Sequence, residues 1–177
     1  MTLAFETIRS LGAADPVVSG LGSTELAFRL CAAAVLGALI GAERSRAEKP
    51  ADTRTMMLIS VGAAAFALIG ERVIAGTEGG SHLGLVSDPT RVLAYIISGV
   101  GFLGAGAILH SKRTVKGLTT ASSIWCTAAV GAACGLGELL IAGVVSTIVL
   151  VTLWGPWVYY SVSKHGPPNG NGNRPAR

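Results

Sequence analysis

Residues 26–42 read LAFRLCAAAVLGALIGA and residues 43–49 read ERSRAEK. An almost uncharged apolar run that stops at a cluster of charge is the pattern of a helix that crosses a bilayer and ends at its headgroups. Four more apolar stretches follow, at 55–70, 92–109, 118–137 and 139–162. A span needs about 17 to 25 residues, so 55–70 suffices only if it extends to Ala75 with Glu71 and Arg72 at the headgroups. The last stretch holds Gly155 and Pro156, and a break is expected there. The expected fold class is all-α: a polytopic membrane protein with five transmembrane helices.

Charge sets the expected orientation, because Lys and Arg are retained on the cytoplasmic side while acidic residues count for little. Of the 14 basic residues, ten fall on alternate connections: Arg44, Arg46, Lys49 and Arg54; Lys112, Arg113 and Lys116; Lys164, Arg174 and Arg177. Arg9, Arg72 and Arg91 fall on the other side, and Arg29 lies just inside the outer end of the first helix. The N-terminus is therefore expected outside and the C-terminus in the cytoplasm. Leaving the second stretch uninserted puts basic loops on both sides, so the charge pattern favours five spans.

Composition agrees: 50% of the chain is hydrophobic, 14% is charged and the mean hydropathy is +0.57. The net charge of +4 lies at the ends of apolar spans, where it meets anionic lipid, and nucleic acid is not an expected partner. Cys31, Cys126 and Cys134 are odd in number and match no ligand spacing, so no disulfide is expected. Residues 1–25 are expected to form an extracytoplasmic segment, not a secretory signal, because Glu6, Arg9 and Asp15 interrupt any apolar core. Residues 26–163 form the membrane domain. Residues 164–177, rich in Pro, Gly and Asn, are expected to be a disordered cytoplasmic tail, leaving no room for a second folded domain.

Three clusters stand out. Gly37 and Gly41 have the spacing that lets two helix backbones approach closely, within one chain or across a homodimer. Asp88, Pro89, Thr90 and Arg91 lead into Gly99, Gly101, Gly104 and Gly106. Gly99, Gly101 and Gly104 match a dinucleotide fingerprint in form only, since that motif must join a strand to a helix in a soluble unit. Helix packing explains these glycines more simply than an unwound segment lining a solute site, which is the sharper alternative. Asp88 before Pro89 reads as a helix N-cap, with an outer cation site shared with Glu138 as the lesser reading. The third cluster, Val115 to Trp125, carries Thr119, Thr120, Ser122 and Ser123; one Thr is expected to cap the helix and the other hydroxyls to bond across helices. Trp154, Trp157, Tyr159 and Tyr160 resemble an interfacial aromatic belt.

No hydrolase, zinc or phosphate-loop motif is present, and His82, His110 and His165 are scattered over different loops. Neither catalysis nor a cofactor nor a resident metal is expected.

Four runs together carry a family resemblance: LGALIGAER at 36–44, Arg54 with Thr55, SGVGFLGAGAI at 98–108 and VKGLTTASSIWCTAAVG at 115–131. In this order, over about 110 residues, the chain resembles the MgtC/SapB family. The resemblance implies a bacterial inner-membrane protein with an outward N-terminus. Its well-studied members support survival under Mg²⁺ limitation and within macrophages, and are thought to restrain the F-type ATP synthase. They are not generally regarded as Mg²⁺ channels. Those members carry a cytoplasmic C-terminal domain, whereas this sequence ends shortly after the fifth span, so a short form is expected, with that domain lost or supplied by another protein. Thr119 stands where the well-studied member has an Asn important for its action on the synthase, and Ala51, Asp52, Thr53 and Arg54 replace the common Ala-Gly-Leu-Arg.

The sequence reading is thus a five-helix membrane protein, expected to be a homo-oligomer, that modulates the ATP synthase by contact under Mg²⁺ or acid stress. The residues expected to matter are Glu43, Arg44 and Arg54, Asp88 and Arg91, and Thr119 with Thr120, a buried or half-buried ion pair among them fixing helix register. A Mg²⁺ or small-solute transporter is the alternative, followed by an assembly factor without a ligand.

Overall fold

The computed structural model describes residues 22–78, 89–111 and 114–162. Among the described residues there are five α-helices: α1 (Ser23–Arg46), α2 (Thr53–Glu78), α3 (Pro89–Gly106), α4 (Leu118–Gly135) and α5 (Leu139–Val162). Two segments, Ser23–Arg46 and Thr53–Val73, are long and apolar enough to cross a membrane; Thr90–Gly106 and Leu139–Gly155 are shorter apolar helices. Each of α1 and α2 runs beyond the apolar stretch expected for it, with Glu71 and Arg72 inside α2.

The expectation departs from the structure at three other points. The third stretch stops being helical at Gly106, and Leu109–Ser111 (β1) pairs antiparallel with Thr114–Lys116 (β2), Leu109 opposite Lys116. Among the described residues this two-stranded ladder is the exception to an otherwise all-α fold; Thr114, Val115 and Lys116 are all exposed, which suits a short surface strand. The last helix passes through Gly155 and Pro156 unbroken. A proline removes one backbone bond, which a long apolar helix tolerates when its neighbours support it. At the start of α4, finally, no Thr caps the helix: Gly117 holds the cap position with φ 92° and no side-chain bond. Its left-handed backbone lies against Ala107, and a Cβ there would strike the Ala107 carbonyl.

Among the described residues α4 is the hub, packing against each of the other four helices, and α1 with α2 form the most extensive pair. The interior is built of small side chains: Ala33, Ala64, Val130, Cys134 and Ala142 with Ile40, and Ala63, Ala128 and Ala132 beside them. Glycine makes the closest contacts. A Cβ on Gly37 would stand 2.7 Å from the Ser60 Cβ, and one on Gly41 2.5 Å from the Thr53 Cα, so the paired-glycine seam is used within the chain, by α1 against α2. Gly131 and Gly135 of α4 do the same against the Ser60 and Ala64 carbonyls of α2. Most of the large apolar residues point outward instead, with Phe102 81% and Leu140 80% exposed. Small residues inside and large apolar ones outside reverse the arrangement that water selects.

Candidate functional site

The two ends of the α1–α2 pair are tied differently, one by an ion pair and the other by hydrogen bonds. At the first, Arg29 donates to Glu25 Oε1 at 2.6 Å, to Glu71 Oε2 at 3.2 Å and to the Gly135 carbonyl at 2.9 Å, binding α1 to α2 and to the end of α4. Gly137, at φ 81°, lies against the guanidinium, where a Cβ would come within 2.9 Å of Nη2. Backbone bonds from Glu138 N to Ala133 O and from Gly137 N to Cys134 O close α4 around that glycine. The sequence reading noted Arg29 but not this clasp; Glu25 four residues before it was the available signal.

At the other end, α1 closes with the same two-bond motif but without glycine. Lys49 N donates to Arg44 O at 3.0 Å and Glu48 N to Ser45 O at 3.1 Å, with Glu48 at φ 53°. The chain then turns into α2: Thr53 N donates to Ser45 Oγ at 3.0 Å, and Asp52 Oδ1 accepts from Thr55 N at 2.9 Å and Thr55 Oγ1 at 2.8 Å. Those two bonds, with the nearby Arg54 charge, hold the Asp52 carboxyl below the usual aspartate range.

This closure brings the end of α1, the first turn of α4 and the middle of α5 around one cleft of about 600 Å³. Glu43, Arg44, Arg46 and Lys49 line it from α1 and its closing turn, Thr119 from α4, and Trp154 from α5. Arg44 is 4% exposed and donates through Nε to Glu43 Oε2 at 2.6 Å. The cleft thus faces three cationic side chains and one carboxylate already engaged by the most buried of them. Thr119 comes from the first turn of α4, whose cap residue Gly117 makes no side-chain bond to it.

Three of the residues singled out from sequence, Glu43, Arg44 and Thr119, therefore meet at this cleft. Thr120 does not; it is buried against the bundle. Arg54 is exposed on the first turn of α2 and lies outside the cleft, so the ion pair is one between neighbours on α1 and does not link α1 to α2. Arg91 lies on α3, remote in sequence from the cleft, and Asp88 is outside the described residues. Of the α3 glycines, Gly104 meets Ala121 of α4, whereas a Cβ on Gly99, Gly101 or Gly106 would meet nothing within 4 Å. The hydroxyls of α4 mostly turn back on their own helix: Ser122 to Leu118 O, Ser123 to Thr120 O and Thr127 to Ser123 O. Only Thr127 also reaches a neighbouring helix among the described residues, at 3.4 Å from Met56 Sδ. Among the described residues no group of three or more His, Cys, Asp or Glu is placed to hold a metal ion. The α5 wall of the cleft was not anticipated, because nothing local in Thr152 to Trp154 marks which face of an apolar helix meets α4.

The family model described as the MgtC family matches residues 30–156, which include every wall of the cleft. The chain belongs to the MgtC family. It is 42% identical over 123 residues to the protein MgtC of Salmonella typhimurium, covering 70% of this chain and 48% of that protein. It is 38% identical over 145 residues to YhiD of Escherichia coli K12, whose name gives magnesium transport as a provisional role, covering 81% of this chain and 66% of that protein. An uncharacterized protein of Synechocystis sp. is 42% identical over 127 residues, covering 72% and 50%. The chain thus spans about half the length of the Salmonella and Synechocystis relatives. No solved structure matches the chain.

Proposed function

We propose that this MgtC-family chain is a multi-pass protein of the bacterial inner membrane, with five spans, an outward N-terminus and a cytoplasmic C-terminus, acting in magnesium homeostasis. Its outward large apolar residues and small-residue interior support the membrane reading. Its action is by protein contact: it modulates the F-type ATP synthase, and through it the membrane potential, when Mg²⁺ is scarce or during acid or intramacrophage stress. The observation that carries this reading is the convergence of Glu43, Arg44 and Thr119 on one cleft at the end of the bundle. That end is the cytoplasmic one in the proposed orientation.

The second reading is transport of Mg²⁺, favoured by the name of the Escherichia coli relative. Against it stands the sign of the cleft, whose cationic excess repels a divalent cation. ATP-driven proton pumping in inverted membrane vesicles, with and without the protein at matched synthase levels, separates the two. Regulation by contact gives weaker pumping with no added proton leak, relieved by Thr119→Ala. Unchanged pumping, together with Mg²⁺ uptake by proteoliposomes holding only this chain, establishes transport instead.

A further inference from the structure

We propose that the cleft between α1, α4 and α5 is a binding site for the phosphate headgroup of an anionic phospholipid. The proposal rests on the membrane reading above, which puts the ends of α1 and α4 at the bilayer surface. Four observations point to this ligand. The cationic side chains Arg44, Arg46 and Lys49 outnumber the one carboxylate, Glu43, which is engaged by Arg44 Nε at 2.6 Å. Arg44 is 4% exposed, so its charge is fixed in the wall and is not free to fold away into water. The two-bond closure of α1 holds Lys49 beside it, through the backbone bond from Lys49 N to Arg44 O. The first turn of α4 reaches the cleft with Thr119, and the partial positive charge of that helix start favours an anion.

The source of the phosphate follows from the remaining walls. Ala47, Leu153 and Trp154 give the cleft an apolar side, and Trp154 is half-exposed on the outer face of α5. Inorganic phosphate gains nothing from that side, whereas the glycerol and upper acyl carbons of a lipid cover it. Trp is also a residue type favoured at a bilayer surface, where its ring meets the headgroups.

The test uses the full chain purified in detergent, with lipid binding read by native mass spectrometry and melting temperature read in parallel. Phosphatidylglycerol is compared with phosphatidylcholine of the same acyl chains, and inorganic phosphate is the third probe. Phosphatidylglycerol is expected to bind and raise the melting temperature, with phosphatidylcholine at least roughly tenfold weaker. The double variant Arg46→Gln, Lys49→Gln removes two exposed cations and is expected to fold as the parent does while losing roughly ten- to thirtyfold in affinity for phosphatidylglycerol. Arg54→Gln, outside the cleft, is expected to bind as the parent does. Equal binding of the two lipids, equal losses in Arg54→Gln and the double variant, or competition by millimolar inorganic phosphate each overturns the proposal; the last replaces the lipid by a soluble anion. Alkaline carbonate extraction of the source membranes separates the two failures. Release of the chain sinks the membrane reading and the site with it, whereas retention with lipid indifference sinks the site alone.

Discussion

Glu48 pays for the closure of α1 with a left-handed backbone, φ 53°, at the position where helices most often place glycine. Glu48→Gly is therefore expected to stabilise the protein by about 0.5–1 kcal/mol, the relief of Cβ strain slightly offset by the greater freedom of glycine in the unfolded chain. A higher melting temperature in detergent checks it, and a lower one rules out the strain argument. Asp52 acts at the same turn through its charge. Its folded pKa lies below the unfolded one, so its contribution is present above the ordinary aspartate range, near ~3.9, and is lost as pH falls through the folded value. Asp52→Ala should lower the melting temperature at neutral pH and show less further loss than the parent on acidification below pH ~4. Equal acid sensitivity in the two proteins would remove Asp52 from the account. The sequence showed Asp52 only as a departure from its family; its partner Thr55 was readable three positions on, as a helix start with a side-chain acceptor.

Helix pairs divide sharply in how they use glycine. Gly37 and Gly41 press α1 onto α2 with no space for a side chain, so Gly37→Val is expected to cost at least about 1–3 kcal/mol by forcing the pair apart. On α3, Gly99 faces open space, and Gly99→Ala should cost nothing within the chain and gain up to about 1 kcal/mol of helix propensity. Melting both variants beside the parent tests the contrast, and similar losses in the two would mean that the α3 face is covered by another molecule. The spacing of glycines was legible in both helices. Which of them meets a neighbour was not, because both runs are equally small and apolar, and the choice depends on where α4 places its own glycines against α2.

Across the whole molecule, the two charged ends of the α1–α2 pair have different tasks. The Arg29 clasp draws α1, α2 and the end of α4 together, and Arg29→Ala is expected to destabilise the bundle by about 1–3 kcal/mol, because it leaves the Gly135 carbonyl without its donor. Thermal unfolding that leaves the variant level with the parent would show the clasp to be ornamental. The opposite end gathers charge around a cleft without closing it. In the proposed orientation, a Cys at Glu48 is labelled by a membrane-impermeant thiol reagent only from the cytoplasmic side and one at Glu138 only from outside; the reverse pattern inverts the topology. Apolar run lengths, the charges at their ends and the spacing of small residues follow from sequence alone, because each is a local property of one helix. They determined the helical class, nearly all helix positions and the family. The unbroken last helix, the hairpin before α4 and the meeting of Glu43, Arg44, Thr119 and Trp154 were decided only in three dimensions. Helix rotation and neighbour choice depend on how every small residue fits at once, and no single segment carries that information.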